Sequence, residues 1–529
     1  MKKTEFNDNS RFLLISAKPA PNGSLHLGHI SGPFLAQDMY YRHYTFRGAV
    51  VKVISGTDPI DSFVYLKAKQ QECSHKEIYD KYYQAILSNF CDFAIHYDEF
   101  INPLNNFWKE NYKLYMDELF TESIKQAKVK KIAKPFPFTL NYKPLSGSSI
   151  QGICPDCNNK MSGYFCESCG AHIDPSELVD LSFNNGNKSL IIKDQEDYFF
   201  IIKSPLKLIN NLQLSGIRLS ELNIVKKQFD KNRCMVRLTE ISDNGISALD
   251  TGKVYFGHGL LYAYCRLIGD IYKRLTNIEI NPFDQESDTK TINFFGIDNT
   301  VSHMVNIQGI AQELLGWKGF DHFVVNHFLL LNGKKFSTSL GHVISIDSFS
   351  NWTSLEKDGV RFVLAAISPS VVQQNITPTS FLRWYNDVFI ALIAQSIVYC
   401  LDYNKGQNLE INCCDSYFAS LWDQVCDLFD YAKFDPSKIV QIIQFHCNEM
   451  RSISQSNNKD LITRLLQLLV LLMPICPRLV TTILQILHIS QPFTLSTVML
   501  PIKVKISKDY QLQLLPLDEI RILQIFNKE

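Results

Sequence analysis

The chain has 529 residues, too many for one compact core, so several domains are expected. Hydrophobic residues make up 46% and charged residues 20%, a globular composition that excludes a disordered chain. Lys plus Arg equals Asp plus Glu at 53 each, so there is no overall basic field for nucleic acid, and only a local patch would serve one.

The opening Met-Lys-Lys-Thr-Glu-Phe-Asn-Asp has no apolar run behind it, so no secretory signal is read there. Arg11 to Ala17 reads as a buried strand, followed by the turn Lys18-Pro19-Ala20-Pro21-Asn22-Gly23. A helix is predicted from about His26 through Tyr41, and a second strand from Ala49 to Ser55, ending at Gly56-Thr57-Asp58-Pro59. Strand, helix and strand in so short a span form a βαβ unit, which predicts a parallel sheet with right-handed crossovers. Ligands of such sheets sit at the carboxyl ends of the strands, where His26, His29 and Asp58 fall.

A cysteine cluster interrupts this pattern between about 115 and 245. Strand-like runs return at Thr291 to Gly296 and His322 to Val325. From about Phe381 the pattern is almost wholly helical, with apolar faces at Phe389 to Leu401 and Ile462 to Ile489. The greasiest stretch, Leu461 to Ile489, carries Arg464, Pro474, Pro477 and Arg478, which a membrane span should not. It reads as a buried helical hairpin. Outside the cluster, ten cysteines lack pairing spacings, which predicts free thiols in a reducing cytoplasm. Neither a membrane nor DNA is an expected partner, and a monomer is expected.

Four segments carry chemistry. His26-Leu27-Gly28-His29 places two imidazoles at a helix start behind Pro21-Asn22-Gly23-Ser24, where they can donate to phosphates. Gly28 leaves room for an adenine. Asn332-Gly333-Lys334-Lys335-Phe336-Ser337-Thr338-Ser339 is a lysine and hydroxyl cluster suited to charge growing on departing phosphates. Taken alone, the first is as a rule structural and the second a solvated turn. Cys154-Pro155-Asp156-Cys157 and Cys166-Glu167-Ser168-Cys169 supply four thiolates for structural zinc; two disulfides are the competing reading. Phe294-Phe295-Gly296-Ile297-Asp298 is a strand end with His303 beyond it, and its aspartate can equally be a helix cap.

Taken in chain order, the four segments resemble the HIGH signature, zinc knuckle, Gly-x-Asp strand end and KMSKS loop of class I aminoacyl-tRNA synthetases of the methionyl type. The knuckle, with the Ile173-Asp174-Pro175-Ser176-Glu177-Leu178 that follows it, is the most family-specific part. The resemblance implies an α/β fold: a Rossmann-like parallel-sheet catalytic domain (1–115 and 246–350) split by a zinc-binding connective insertion (116–245). A stem-contact connector (351–380) and an all-α anticodon-binding-like domain (381–529) follow. It further implies that an amino acid is activated with ATP and Mg2+ and passed to tRNA. His26, His29, Lys335, Ser337 and Thr338 would be catalytic. Asn22, Gly28, Lys334, Ser339 and Asp298 would bind ATP, and Cys154, Cys157, Cys166 and Cys169 would hold zinc.

Departures from the family concentrate at the amino-acid pocket. Asp58 matches the carboxylate that holds the α-ammonium, and Ala17, Tyr264 and His303 match pocket residues. The family's Leu-Pro-Tyr is Lys18-Pro19-Ala20, its tryptophan falls on Gly257, and its His-Gly after the aspartate is Ile60-Asp61. Aromatic walls suit methionine's thioether, and here Ala20 and Gly257 empty them while Lys18 and His258 add polar groups. A side chain other than methionine's, larger or acidic, is expected; refilling by a neighbour such as Tyr262 is the competing reading. In the loop, Thr338 replaces the second lysine, a loss typically costing roughly 3–4 kcal/mol, or about a hundred- to thousandfold in rate.

Phe381-Leu382-Arg383-Trp384-Tyr385-Asn386 and Leu471-Leu472-Met473-Pro474-Ile475-Cys476-Pro477 resemble parts of the family's anticodon domain, whose reading Asn and Arg fall on Gln395 and Tyr399. Residues 381–529 carry 13 Lys and Arg against 14 Asp and Glu, a poor charge for tight anticodon binding. Three functions stay open on the sequence alone. They are a methionine–tRNA ligase, a paralogue passing an adenylate to a non-tRNA acceptor, and a binding or regulatory homologue without the chemistry.

Overall fold

The computed structural model describes residues 10–526 apart from 146, 184–185, 243, 250, 338–340, 454–457 and 490–491, and for 258–262 it describes the backbone only. Five parallel strands make the central sheet: β1 (Arg11–Ser16), β2 (Val50–Gly56), β3 (Glu99–Ile101), β4 (Lys290–Gly296) and β5 (His322–Asn326). Their order is β5-β4-β1-β2-β3, so the chain builds outward from β1 in one direction and later in the other. A crevice opens at that reversal, at the carboxyl ends of the strands. Alternate residues of β1 enter different cores, Phe12 and Leu14 on one face and Leu13 and Ile15 on the other. Both faces are covered, which is why the strand reads as a continuous apolar run.

The helix predicted from His26 to Tyr41 is not continuous. A short turn, Leu27–His29, runs into a widened segment, Ile30–Phe34, before regular helix resumes at Leu35–Phe46. Gly32 leaves helical geometry at φ −89°, ψ −120°, and Pro33 lacks the N–H that would continue the ladder. Helix Asn106–Lys125 runs unbroken through the 115/116 division expected from the sequence. The insertion holds the helices Pro205–Leu214 and Leu219–Asp230 and two antiparallel sheets. The larger joins Val129–Thr139, Leu190–Ile201 and Met235–Arg237; the smaller, with Ile150–Ile153 at its centre, carries the cysteines.

The C-terminal region is a helical bundle, with one antiparallel ribbon, Asn408–Ile411 against Ile502–Lys505, that the helical reading lacked. Leu461 to Ile489 forms a hairpin of Asn458–Leu472 and Pro477–Ile486, and Leu461, Leu465, Leu468 and Leu472 are fully buried. Pro477 sits in the first turn of the second helix, where its missing N–H costs nothing. Pro378–Tyr403 is long and apolar enough to cross a membrane, but half of it is buried inside the protein and Phe381, Tyr385 and Phe389 lie in the core. Arg361 joins the bundle to the sheet domain. Wholly buried, it pairs with Asp38 at 2.6 Å and donates to the carbonyls of Phe93 and Ile475, each at 2.7 Å. All fourteen cysteines are free thiols.

Candidate active site

His26 is extended at φ −124°, ψ 168° and caps the turn that follows it. Its Nδ1 accepts the His29 N–H at 3.3 Å, while its own N–H donates to His29 Nδ1, also at 3.3 Å. The two rings stack 3.6 Å apart. Because both Nδ1 atoms accept, each neutral imidazole carries its proton on Nε2. Among the described residues neither Nε2 has a partner. Burial pushes His29 down to about 4, aided by Lys335, and burial together with His29 holds His26 well below its ordinary value. Both rings are therefore neutral donors at pH 7. A Cβ on Gly28 would lie 3.1 Å from the His26 ring and 3.2 Å from Phe336, so a side chain there would crowd both rings.

The lysine segment reaches this turn from over 300 residues away. Asn332 and Gly333, at φ 49° and 80°, make the left-handed two-residue turn between Leu329–Leu331 and Lys334–Lys335 that Asn-Gly favours. The chain then returns beside the histidines. Leu27 N–H donates to Ile344 O at 3.0 Å, Ile346 N–H donates to Leu25 O at 2.9 Å, and Phe336 stacks on His26 at 4.9 Å. Lys335 Nζ bonds Glu167 at 2.6 Å, lies 3.9 Å from Asp298 and sits 4.1 Å over the Phe328 ring. Lys334 is exposed, Ser337 N–H donates to His342 O at 3.0 Å, and Thr338 and Ser339 lie outside the described residues. Asn22 turns the preceding loop, its N–H donating to Ala20 O at 2.9 Å. Burial pushes the Asp298 carboxyl up, opposed by Lys335.

A second group lines the crevice beside it. Ala17 follows β1, its N–H donating to Phe294 O at 2.7 Å. Tyr264 shares a hydrogen bond with Ser55 Oγ at 3.0 Å, and Ser55 donates to Ser16 O. His303 stacks on Phe295 at 4.5 Å, and its Nδ1 is buried without a partner. Burial, then Lys18, pushes that imidazole down to about 3. Asp58 Oδ1 accepts only the Ile60 N–H, at 3.3 Å, and its Oδ2 lies 3.9 Å from Lys18 Nζ. That ammonium also stands 4.6 Å over the Tyr264 ring. Gly257 is exposed, with open space where a side chain would begin. Ala20 packs against Val64, Ala68 and Ile78. The side chains of His258 and Tyr262 lie outside the described residues. Asp61, read only as a departure, caps helix Ser62–Gln70 and is pushed up to about 7 by burial and by Asp58.

The sulfurs of Cys154, Cys157, Cys166 and Cys169 lie within 4.8 Å of one another, with Cys154–Cys169 at 3.8 Å and Cys157–Cys166 at 3.5 Å. Thiolates about 2.3 Å from a tetrahedral zinc stand about 3.8 Å apart, so the set can hold such an ion. Hydrogen bonding from Cys169 pulls Cys166 down to about 5, while burial pushes Cys154 up to about 11. A cation would be needed to ionise all four. Glu167, between two of these cysteines, is the site residue that the sequence did not disclose.

The family model "tRNA synthetases class I (M)" matches residues 12–399. A methionine–tRNA ligase of Cytophaga hutchinsonii is 25% identical over 408 residues, 73% of this chain and 58% of that protein. One of Chlamydia pneumoniae is 27% identical over 387 residues, covering 70% and 67%. The Mycobacterium tuberculosis methionyl-tRNA synthetase bound by methionyl-adenylate shares the fold, with a TM-score of 0.72 at 14% identity over 95% of this chain and 99% of that one. The chain thus spans under three fifths of the Cytophaga relative's length. With its paired histidines, lysine hairpin and four-cysteine knuckle arranged around one sheet, the chain belongs to the class I tRNA synthetases of the methionyl type.

Proposed function

We propose that the chain joins an amino acid to AMP at the expense of ATP and passes the aminoacyl group to tRNA. An oxygen of the amino acid's α-carboxylate attacks the α-phosphorus. The bond from that phosphorus to the β-bridging oxygen breaks, and pyrophosphate leaves with the electron pair. A terminal hydroxyl of tRNA then attacks the activated carbonyl and releases AMP. The Nε2–H groups of His26 and His29 donate to phosphate oxygens, and Lys335 meets the charge on the leaving group, aided by Mg2+ and the hydroxyls of Ser337 and Thr338. Such chemistry is mostly positioning and charge stabilisation. Asn22, Gly28, Lys334, Asp298 and Ser339 bound the nucleotide. Asp58 receives the α-ammonium, in a pocket with Ala17, Tyr264 and His303. Zinc on the four thiolates holds the knuckle in shape. The protein acts as a monomer in a reducing compartment.

What supports this most is one observation: the backbone bonds of Leu25 and Leu27 to Ile346 and Ile344, which draw the lysine hairpin to the paired histidines. ATP–pyrophosphate exchange over the twenty amino acids tests it; exchange with one or a few is expected, and none with any would end the reading. A second acceptor deserves weight because Gln395 and Tyr399 are exposed on a helix of a region with no basic excess. Charging of total tRNA separates the two acceptors.

A further inference from the structure

We propose that Lys18 sets the specificity of the amino-acid pocket, and that the amino acid admitted carries an anionic side chain, a second carboxylate. The proposal rests on the amino-acid-activation reading above and names the substrate class for it.

Lys18 leaves β1 directly behind Ala17. The strap it belongs to is fastened to the end of β2, where Asp58 N–H donates to Pro19 O at 3.1 Å. The Lys18 side chain is consequently 8% exposed, and its ammonium stands in the crevice between Asp58 and the Tyr264 ring. At 3.9 Å from Asp58 it is beyond hydrogen-bond reach, and among the described residues it makes no hydrogen bond. An ammonium has three donors, and those left unused by the protein are open to a ligand in the crevice. A second vacancy lies nearby. His303 Nδ1 is buried without a partner, and its ring feels the Lys18 charge. The crevice thus offers a cation and an imidazole nitrogen that no described protein group satisfies.

Charge balance decides what fills it. The α-carboxylate of any substrate must go to the phosphates, and its α-ammonium takes Asp58. Lys18 then loses its nearest counter-ion, and Asp61, the other carboxylate that feels its charge, is pushed toward its neutral form by burial and by Asp58. A methionine side chain would lie against that ammonium without pairing it, whereas a side-chain carboxylate forms a charge-assisted bond with it. An amide or hydroxyl would accept a hydrogen bond without neutralising the charge.

The test is ATP–pyrophosphate exchange by the zinc-loaded full chain with aspartate, glutamate, asparagine, glutamine and methionine. Aspartate or glutamate should exceed methionine and its own amide by about a hundredfold or more in kcat/KM, because a site built around a polar partner rejects the analogue lacking it. Lys18→Met and Lys18→Gln, checked for unchanged melting, should each lose roughly that factor for the acid. A preference for methionine, for another uncharged amino acid or for an acid without an α-amino group overturns the proposal, as does an acidic preference that survives both variants. If no amino acid supports exchange, the activation reading fails by itself. Calorimetry with glutamate and aspartate then decides the pocket: binding lost in both variants sustains Lys18's role, and no binding to the unaltered chain refutes it.

Discussion

The two halves of the crevice have been treated differently. Around the phosphates, His26, His29 and Lys335 keep the family's residue types, and the backbone itself ties their segments together through Leu25, Leu27, Ile344 and Ile346. On the side proposed for the amino acid, Asp58, Tyr264 and His303 face one crevice, and a lysine ammonium stands among them. Nucleotide chemistry is common to every substrate, so its cradle tolerates little change. A side-chain pocket can be rebuilt by single residues on an unchanged sheet. A pair of elements fixed by backbone bonds is also harder to alter than one lined only by side chains.

Removing Lys335 should break the proposed nucleotide half most severely. Lys335→Ala should slow exchange by about a hundred- to thousandfold, the roughly 3–4 kcal/mol of a lost transition-state donor, with little change in the KM for amino acid. Steady-state exchange kinetics read this directly, and an unchanged kcat would remove Lys335 from the chemistry.

A smaller effect comes from the paired imidazoles. His29 titrates at about 4 when folded, against 6.5 when unfolded, so the unfolded chain binds the extra proton between those values. The stability this confers is complete above pH 6.5 and is lost as pH falls through about 4. The slope is about 1.4 kcal/mol per pH unit and the total about 3 kcal/mol. Urea unfolding from pH 7 to 4.5 should show the decline, and His29→Asn should lessen its slope by about 1.4 kcal/mol per pH unit, the other buried histidines keeping theirs. An equal slope in the variant would mean that the ring is not held neutral.

The smallest change is expected at Glu167. Its bond to Lys335 joins side chains 64% and 37% exposed, so it is worth at most about 1 kcal/mol. Nucleotide must take Lys335 from it, so Glu167→Gln should lower the KM for ATP by up to about fivefold. A raised KM would show that Glu167 instead presents the lysine to ATP.

Much of this was legible because it is local. The strands starting at Arg11, Val50, Lys290 and His322 announce themselves as apolar runs, and the Cys-x-x-Cys pairs and the Asn-Gly turn carry their geometry in a few residues. What escaped was too short or too distant. Strand Glu99–Ile101 has only 3 residues, too few for a periodic signal. The kink at Gly32-Pro33 hides inside an apolar pattern that continues past it. The Glu167–Lys335 bond spans 168 positions and leaves no mark in either neighbourhood. Ala20 was visible only as a departure from a motif, and folding alone shows that it packs with Val64 and Ala68. Lys18 was visible as a departure, but only folding placed its ammonium over Tyr264.

A crystal structure with a non-hydrolysable ATP analogue bears most directly on the two-part cradle. The triphosphate should lie between the Nε2 atoms of His26 and His29 and the Nζ of Lys335, with Lys335 withdrawn from Glu167. An analogue bound elsewhere, or one bound there while Lys335 stays on Glu167, would contradict it.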